Sequence, residues 1–232
     1  MSPLQVPGQK AAIAVPRGLF FSFDGLDGTG KSTQAELFCQ WLTELGHAVM
    51  TCRDPGTTAL GERLRSILLE TRDAELGTAL PIAPRTETLL YMAARAQLVA
   101  EVIEPALLAG HTVVSDRFVL ANVAYQAYGF GTGAGGLGID ARDVWQLNQF
   151  PTDGLEPDAT FVMDLPVEVA AQRRGATADR MEERDLAYRQ RVREGFLVEA
   201  SHRPDRIFVI DGNGEVDAIQ QQIRQAARKW IP

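Results

Sequence analysis

Apolar positions along this chain follow two rhythms. Short, nearly continuous apolar runs at Leu19–Phe23, Ala48–Cys52, Thr112–Ser115, Ala159–Asp164 and Arg206–Ile210 are rich in Val, Ile or Phe and bounded by turn signals. Between them, apolar residues recur with helical spacing over Lys31–Leu45, Leu60–Glu70, Thr86–Ala109, Ala141–Gln149, Val167–Arg173, Asp185–Ala200 and Val216–Trp230. Gly46 and Gly110 close the first and third of these helices. A strand without alternation is buried on both faces, so the strand–helix alternation predicts an α/β fold with five parallel strands between helical layers. Pro105 brings no N–H and should bend or interrupt the long third helix. Sheets of this kind gather ligands at the carboxyl ends of their strands, and it is there that the chemistry is expected.

The first strand empties into Gly25-Leu26-Asp27-Gly28-Thr29-Gly30-Lys31-Ser32, with Thr33 continuing into the helix. This is the Gly-x-x-x-x-Gly-Lys-Ser pattern of a phosphate-binding loop. Its glycines allow a turn tight enough to aim successive N–H groups at phosphate oxygens, and the helix that starts near Lys31 adds the positive end of its dipole. Lys31 is placed to reach the β- and γ-phosphates. The second strand ends in Arg53-Asp54-Pro55 and the third in Asp116-Arg117, so distant segments converge on the same edge.

Composition narrows the rest. With 232 residues, 45% hydrophobic and 23% charged, the chain suits one α/β domain over 18–232 behind a ragged tail, 1–17. The net charge of −7 argues against nucleic acid as a main partner. Cys39 and Cys52 have no metal-like spacing and read as reduced, structural thiols; His47, His111 and His202 are isolated and form no triad. The Ala11–Val15 run is too short for a signal peptide or a membrane span, which predicts a cytoplasmic protein. Gly129–Gly138 reads as a loop.

Five segments in order, Gly25–Ser32, Arg53-Asp54-Pro55-Gly56, Ala93-Ala94-Arg95-Ala96-Gln97-Leu98, Asp116-Arg117-Phe118 and Asn122 to Gln126, resemble the thymidylate kinase family. The resemblance runs from about Leu19 to the C-terminal helix. It implies a three-layer P-loop fold with a short mobile lid at about 173–182, and transfer of the γ-phosphoryl of ATP, with Mg2+, onto dTMP in dTTP biosynthesis. It also implies small-molecule substrates, no nucleic acid or membrane partner, and a homodimer packed through helices. On the donor side it implies that Gly25, Leu26, Asp27, Gly28, Thr29, Gly30, Lys31, Ser32 and Thr33 hold the ATP phosphates. Ser32, Asp27 and Asp116 then lie beside the metal, and Lys31 and Arg117 carry the transfer. On the acceptor side Arg53 is directed at the phosphate and Asp54 at the sugar or metal. Tyr91 and Arg95, four residues apart on one helix face, meet the thymine ring and a base carbonyl. Asn122 reads the base edge, Tyr125 crowds the ribose 2′-position, and Gln126 follows. Gly28 stands where some members have an arginine, so the missing charge is expected from Arg174 and Arg180, with Arg173, in the lid.

The residue types suit that chemistry. The attacking oxygen of a nucleoside monophosphate is already anionic, so alignment and charge neutralisation suffice and no general base is required. The chain departs from the family pattern at Asp24, Thr57, Tyr91, Phe118 and Ala121, changes that touch the acceptor pocket more than phosphate handling. Other readings stay open at this level: another (d)NMP kinase, a deoxynucleoside kinase with Asp24 as base, or a non-catalytic nucleotide-sensing module.

Overall fold

The structure, a computed structural model, describes residues 17–70, 81–131, 138–174 and 184–231. The N-terminal tail up to Pro16, most of the Gly129–Gly138 loop, the Arg174 side chain and Arg180 lie outside the described residues. All five anticipated strands are present, within a residue or two of their expected bounds: β1 Phe20–Gly25, β2 Val49–Arg53, β3 Thr112–Asp116, β4 Ala159–Asp164 and β5 Ile207–Asp211. They pair in parallel in the order β2-β3-β1-β4-β5.

The centre of this order explains the composition of β1. Every residue of Phe20–Gly25 is buried, because the strand has neighbours on both edges and helices on both faces. Successive side chains alternate between faces. Phe20 joins one core cluster with Leu98, Ile103 and Val144, while Phe21 and Phe23 join another with Phe38, Leu42, Ile219 and Ile223. The Phe21 and Phe38 rings meet edge to face at 5.2 Å.

The helices are α1 Lys31–Glu44, α2 Ala59–Leu69, α3 Pro84–Leu98, α4 Glu104–Leu108, α5 Val119–Asn122, α6 Ala141–Thr152, α7 Val167–Arg174, α8 Leu186–His202 and α9 Val216–Ala227. Pro105 interrupts its helix as anticipated, and the mode is specific. The turn before it, Val99–Ile103, widens into π-helix, with the Glu104 N–H donating to the Val99 carbonyl, and α4 restarts with the proline in its first turn.

A second π-helical stretch, Val123–Gly129, continues α5. The periodicity did not predict it, because nine of the eleven residues from Val119 to Gly129 are buried and no polar face remains to create a helical rhythm. It packs on α8 through two glycine seats: a Cβ on Gly129 would stand 2.6 Å from the Tyr188 ring, and one on Gly195 would stand 2.6 Å from the Tyr128 ring. Tyr188 Oη also donates to the Tyr125 carbonyl at 2.9 Å. These contacts fix the segment that carries Asn122, Tyr125 and Gln126.

Candidate active site

The loop after β1 folds as a phosphate cradle requires. Gly25 has φ +128°, and a Cβ there would sit 2.5 Å from the Met163 carbonyl oxygen of β4, so no larger residue fits. Gly30, at φ +91°, caps α1 with no side-chain hydrogen bond. The first bond into the helix is Gln34 N–H to the Gly30 carbonyl, which leaves the N–H groups of Lys31, Ser32 and Thr33 without intrahelical acceptors. These open donors, with the dipole behind them, form an anion site. Lys31 Nζ donates to the Gly25 and Leu26 carbonyls at 3.3 and 2.8 Å and lies 3.5 Å from Asp27 Oδ1. Burial, then the Arg117 charge, push its pKa down.

Arg117 crosses from β3 to this loop. It has φ +69°, outside the usual region for a side-chain-bearing residue, and its N–H is held by the Phe23 carbonyl at 2.9 Å. Its Nη1 donates to the Gly25 carbonyl at 2.9 Å and its Nη2 to Asp27 Oδ1 at 2.6 Å, while the guanidinium lies 5.1 Å from the Tyr125 ring centroid. Against the desolvation that opposes ionisation, Arg117 and Lys31 hold the Asp27 carboxyl well below the usual carboxylate range.

Beneath the loop lie carboxylates with spare acceptors. Both oxygens of Asp24, Asp54 Oδ1 and Asp116 Oδ1 are buried without a hydrogen-bond partner. Burial pushes Asp24 up to about 7, only partly opposed by Arg117 and Lys31. Asp54 is also raised by burial, although Arg95 Nε donates to its Oδ2 at 2.6 Å. Buried unpartnered oxygens next to a phosphate cradle, with the Ser32 hydroxyl at its exposed rim, form a hard-oxygen donor set suited to Mg2+. Among the described residues no group of three or more His, Cys, Asp or Glu is arranged to hold a metal alone.

Beside the loop opens a cavity of about 260 Å³, with Asp27 and Arg117 on its donor side. Asp54, Tyr91, Arg95, Asn122, Tyr125 and Gln126, all singled out from the sequence, line it together with Arg65 and Ala121. Arg95 is almost wholly buried: besides Asp54, its Nη1 donates to Asn122 Oδ1 at 3.1 Å and to Asn148 Oδ1 at 2.5 Å.

Arg53 is not in this lining. It projects to the exposed side of β2, where Nη2 donates to both carboxylate oxygens of Glu62 at 2.9 and 3.1 Å. The guanidinium on that wall belongs instead to Arg65 of α2, donating to the Pro55 carbonyl at 3.2 Å. The physical reason is strand alternation: Asp54 turns inward at the strand end, so the residue before it turns outward. Arg173 reaches the Gly212 carbonyl at 3.1 Å, near the phosphate loop rather than the cavity.

Asn148, Glu87 and Arg65 also belong to this region, and no motif points to them. The first two had a signal: each is a polar residue on a buried helix stripe, Asn148 with Val144 and Thr152 on α6, Glu87 with Arg95 on α3. Arg65 had none.

The thymidylate kinase family model matches residues 23–223. The chain is similar to the thymidylate kinase of Rhodopirellula baltica, 40% identical over 206 residues, covering 89% of this chain and 78% of that one. It is 42% identical over 207 residues to the thymidylate kinase of Kosmotoga olearia, covering 88% and 93%. The crystal structure of thymidylate kinase from Ehrlichia chaffeensis superposes with a TM-score of 0.71 at 28% identity, covering 92% of this chain and 99% of that one.

Proposed function

The chain belongs to the thymidylate kinase family, and on that premise we propose that it transfers the γ-phosphoryl group of Mg-ATP to the phosphate of dTMP. The observation that carries this reading is the adjacency of two sites. An anion cradle at the N-terminus of α1 and a cavity lined by Arg65, Arg95 and Arg117 share Asp27 and Arg117 as a common wall.

The division of labour follows from charge. Lys31 and the N–H groups of Lys31 to Thr33 bind the donor phosphates; in doing so Lys31 exchanges its loop carbonyls for phosphate oxygens. Arg117, forked and permanently charged, bridges acceptor and donor phosphates and neutralises charge that grows during transfer. Ser32, Asp116 and Asp27, with Asp24 behind them, would hold the magnesium. When bound, Mg2+ supplies charge neutralisation on the transferring phosphates. Tyr91, Arg95, Asn122 and Gln126 orient the base, and Tyr125 stands by the sugar. The acceptor oxygen needs no base, so Asp24, buried and absent from the cavity lining, is not asked to accept its proton.

We read residues 18–232 as one catalytic domain with a lid at about 173–182, from which Arg174 and Arg180 complete the charge around the transferred group. Cytoplasmic residence suits an enzyme that draws on ATP. A homodimer is supported by an apolar groove on α3 and α6, where Leu89, Leu147 and the 94%-exposed Phe150 face outward.

Coupled ADP-release assays with dTMP, dUMP, dCMP, dGMP, AMP and thymidine test the reading. Turnover highest with dTMP is expected. Equal turnover across monophosphates removes the thymidylate assignment but leaves the kinase; phosphorylation of thymidine alone replaces it with a nucleoside kinase using Asp24.

A further inference from the structure

Glu87 lies on α3 one turn before Tyr91 and two before Arg95; its side chain is completely buried, yet it does not line the acceptor cavity. Its Oε2 accepts from Arg184 Nη2 at 3.2 Å and its Oε1 from Gln126 Nε2 at 2.9 Å. The series continues inward. Asn122 Nδ2 donates to Gln126 Oε1 at 2.9 Å, and Asn122 Oδ1 accepts from Arg95 Nη1 and Asn148 Nδ2, both at 3.1 Å.

Every bond in this series points the same way, from Arg95 through Asn122 and Gln126 to Glu87. The direction is imposed by the ends, since a guanidinium has only donors and the carboxylate of an ion pair only acceptors. Turning the Gln126 amide over would set its oxygen against the Glu87 carboxylate and its nitrogen against Asn122 Nδ2. Arg184 is itself steadied between rings, 4.7 Å from the Phe130 centroid and 5.2 Å from that of Tyr188.

We propose that Glu87 is a positioning residue that sets base specificity, by fixing which end of the Gln126 amide the acceptor cavity receives. A 4-oxo pyrimidine presents an N3–H donor beside a carbonyl acceptor, whereas a 4-amino pyrimidine presents the reverse. An amide free to turn over serves either edge; a pinned amide serves one. Glu87 therefore excludes the 4-amino base without touching it, because the wrong edge leaves buried polar groups unpaired. The inference rests on the reading of dTMP as acceptor.

The test is the isosteric substitution Glu87→Gln. Because Arg184 can only donate, Gln at position 87 gives its oxygen to Arg184 and turns its NH2 toward Gln126, whose amide then meets a donor from each side, the new side chain and Asn122, and is no longer held one way round. The ratio of kcat/KM for dTMP over dCMP is expected to fall at least about tenfold, a loss of about 1.4 kcal/mol of discrimination. Adding Arg184→Ala releases the new amide to turn its oxygen inward, and the ratio should return to within about threefold of the Arg184→Ala single variant. A merely structural role lowers both substrates together and gains nothing from the second substitution; that result, or an unchanged ratio in Glu87→Gln, overturns the proposal. Gln126→Met, which deletes the amide at similar volume, should lower the ratio as well, and an undiminished ratio there overturns it even where Glu87→Gln fails to fold. A wild-type enzyme without preference for dTMP would sink both this inference and the acceptor assignment. Wild-type preference with insensitive variants sinks this inference alone.

Discussion

Arg117 Nη2 and Asp27 Oδ1 are 2.6 Å apart, an ion pair that joins the end of β3 to the phosphate loop after β1. Because the same guanidinium lines the acceptor cavity, the pair brings the two substrates' binding elements into one rigid contact. Replacing Arg117 by Ala should lower kcat by roughly 10³-fold or more, as loss of a charge clamp does in phosphoryl transfer. Arg117→Lys should recover little of it, since an ammonium cannot fork between Gly25, Asp27 and a phosphate. Steady-state kinetics check both, and near-wild-type turnover in Arg117→Ala would refute the bridging role.

Arg53 and Arg65 can be told apart by the acceptor KM. Arg65→Ala should raise it roughly tenfold, the worth of one charge-assisted hydrogen bond. Arg53→Ala should leave it nearly unchanged and cost under about 1 kcal/mol of stability, because its pair with Glu62 is exposed. The opposite order would return the acceptor phosphate to Arg53.

Asp24 should make the nucleotide-free protein less stable as pH rises. Its folded pKa of about 7 exceeds the ordinary value of 3.8, so between these values the folded state holds a proton that the unfolded state has released. Stability from this group is full below about 4 and is lost progressively up to about 7. Asp24→Asn should therefore raise Tm at pH 8 and show a smaller advantage at pH 5. Melting curves across that range decide, and a constant difference would mean that Asp24 does not titrate there.

Gly195→Ala should destabilise by roughly 1–3 kcal/mol, the usual cost of overpacking, because backbone-fixed Cβ atoms cannot yield to the Tyr128 ring. Urea unfolding measures this directly. Tyr128→Ala in the same chain should restore part of the loss; a purely additive double variant would point away from the ring contact.

Phe150→Glu should convert the proposed dimer to monomer while leaving the fold intact, since the side chain is 94% exposed within one chain. Light scattering coupled to size-exclusion chromatography reads the mass. A wild-type monomer at micromolar concentration would remove the proposed assembly.

The sheet was legible because burial on both faces writes itself as unbroken apolar runs, and the phosphate loop because backbone geometry demands Gly25 and Gly30 at fixed places. Tyr91, Arg95, Asn122, Tyr125 and Gln126, which family motifs assign to the acceptor, all line the cavity. Arg53 illustrates the limit: its motif position was clear, but with Asp54 turned inward strand alternation leaves it on the outer side, where Glu62, nine residues away, holds it. Arg65 and Arg184 act through contacts that no local pattern records. The helix Val119–Gly129 escaped for the opposite reason, being too uniformly buried to carry a period.

That helix has one more consequence. Its second part, Val123–Gly129, is wound with i→i+5 bonds, so it holds one residue more per turn or so than an α-helix of the same rise would. Loss of a single residue there would let the segment tighten to α-helix, which leaves the chain beyond it roughly in place but sets a different residue at each inward position within it. Tyr125 and Gln126 would then face new directions although neither had been substituted. The acceptor cavity thus depends on a residue count as much as on residue identity, and for that stretch a deletion should be more damaging than most replacements.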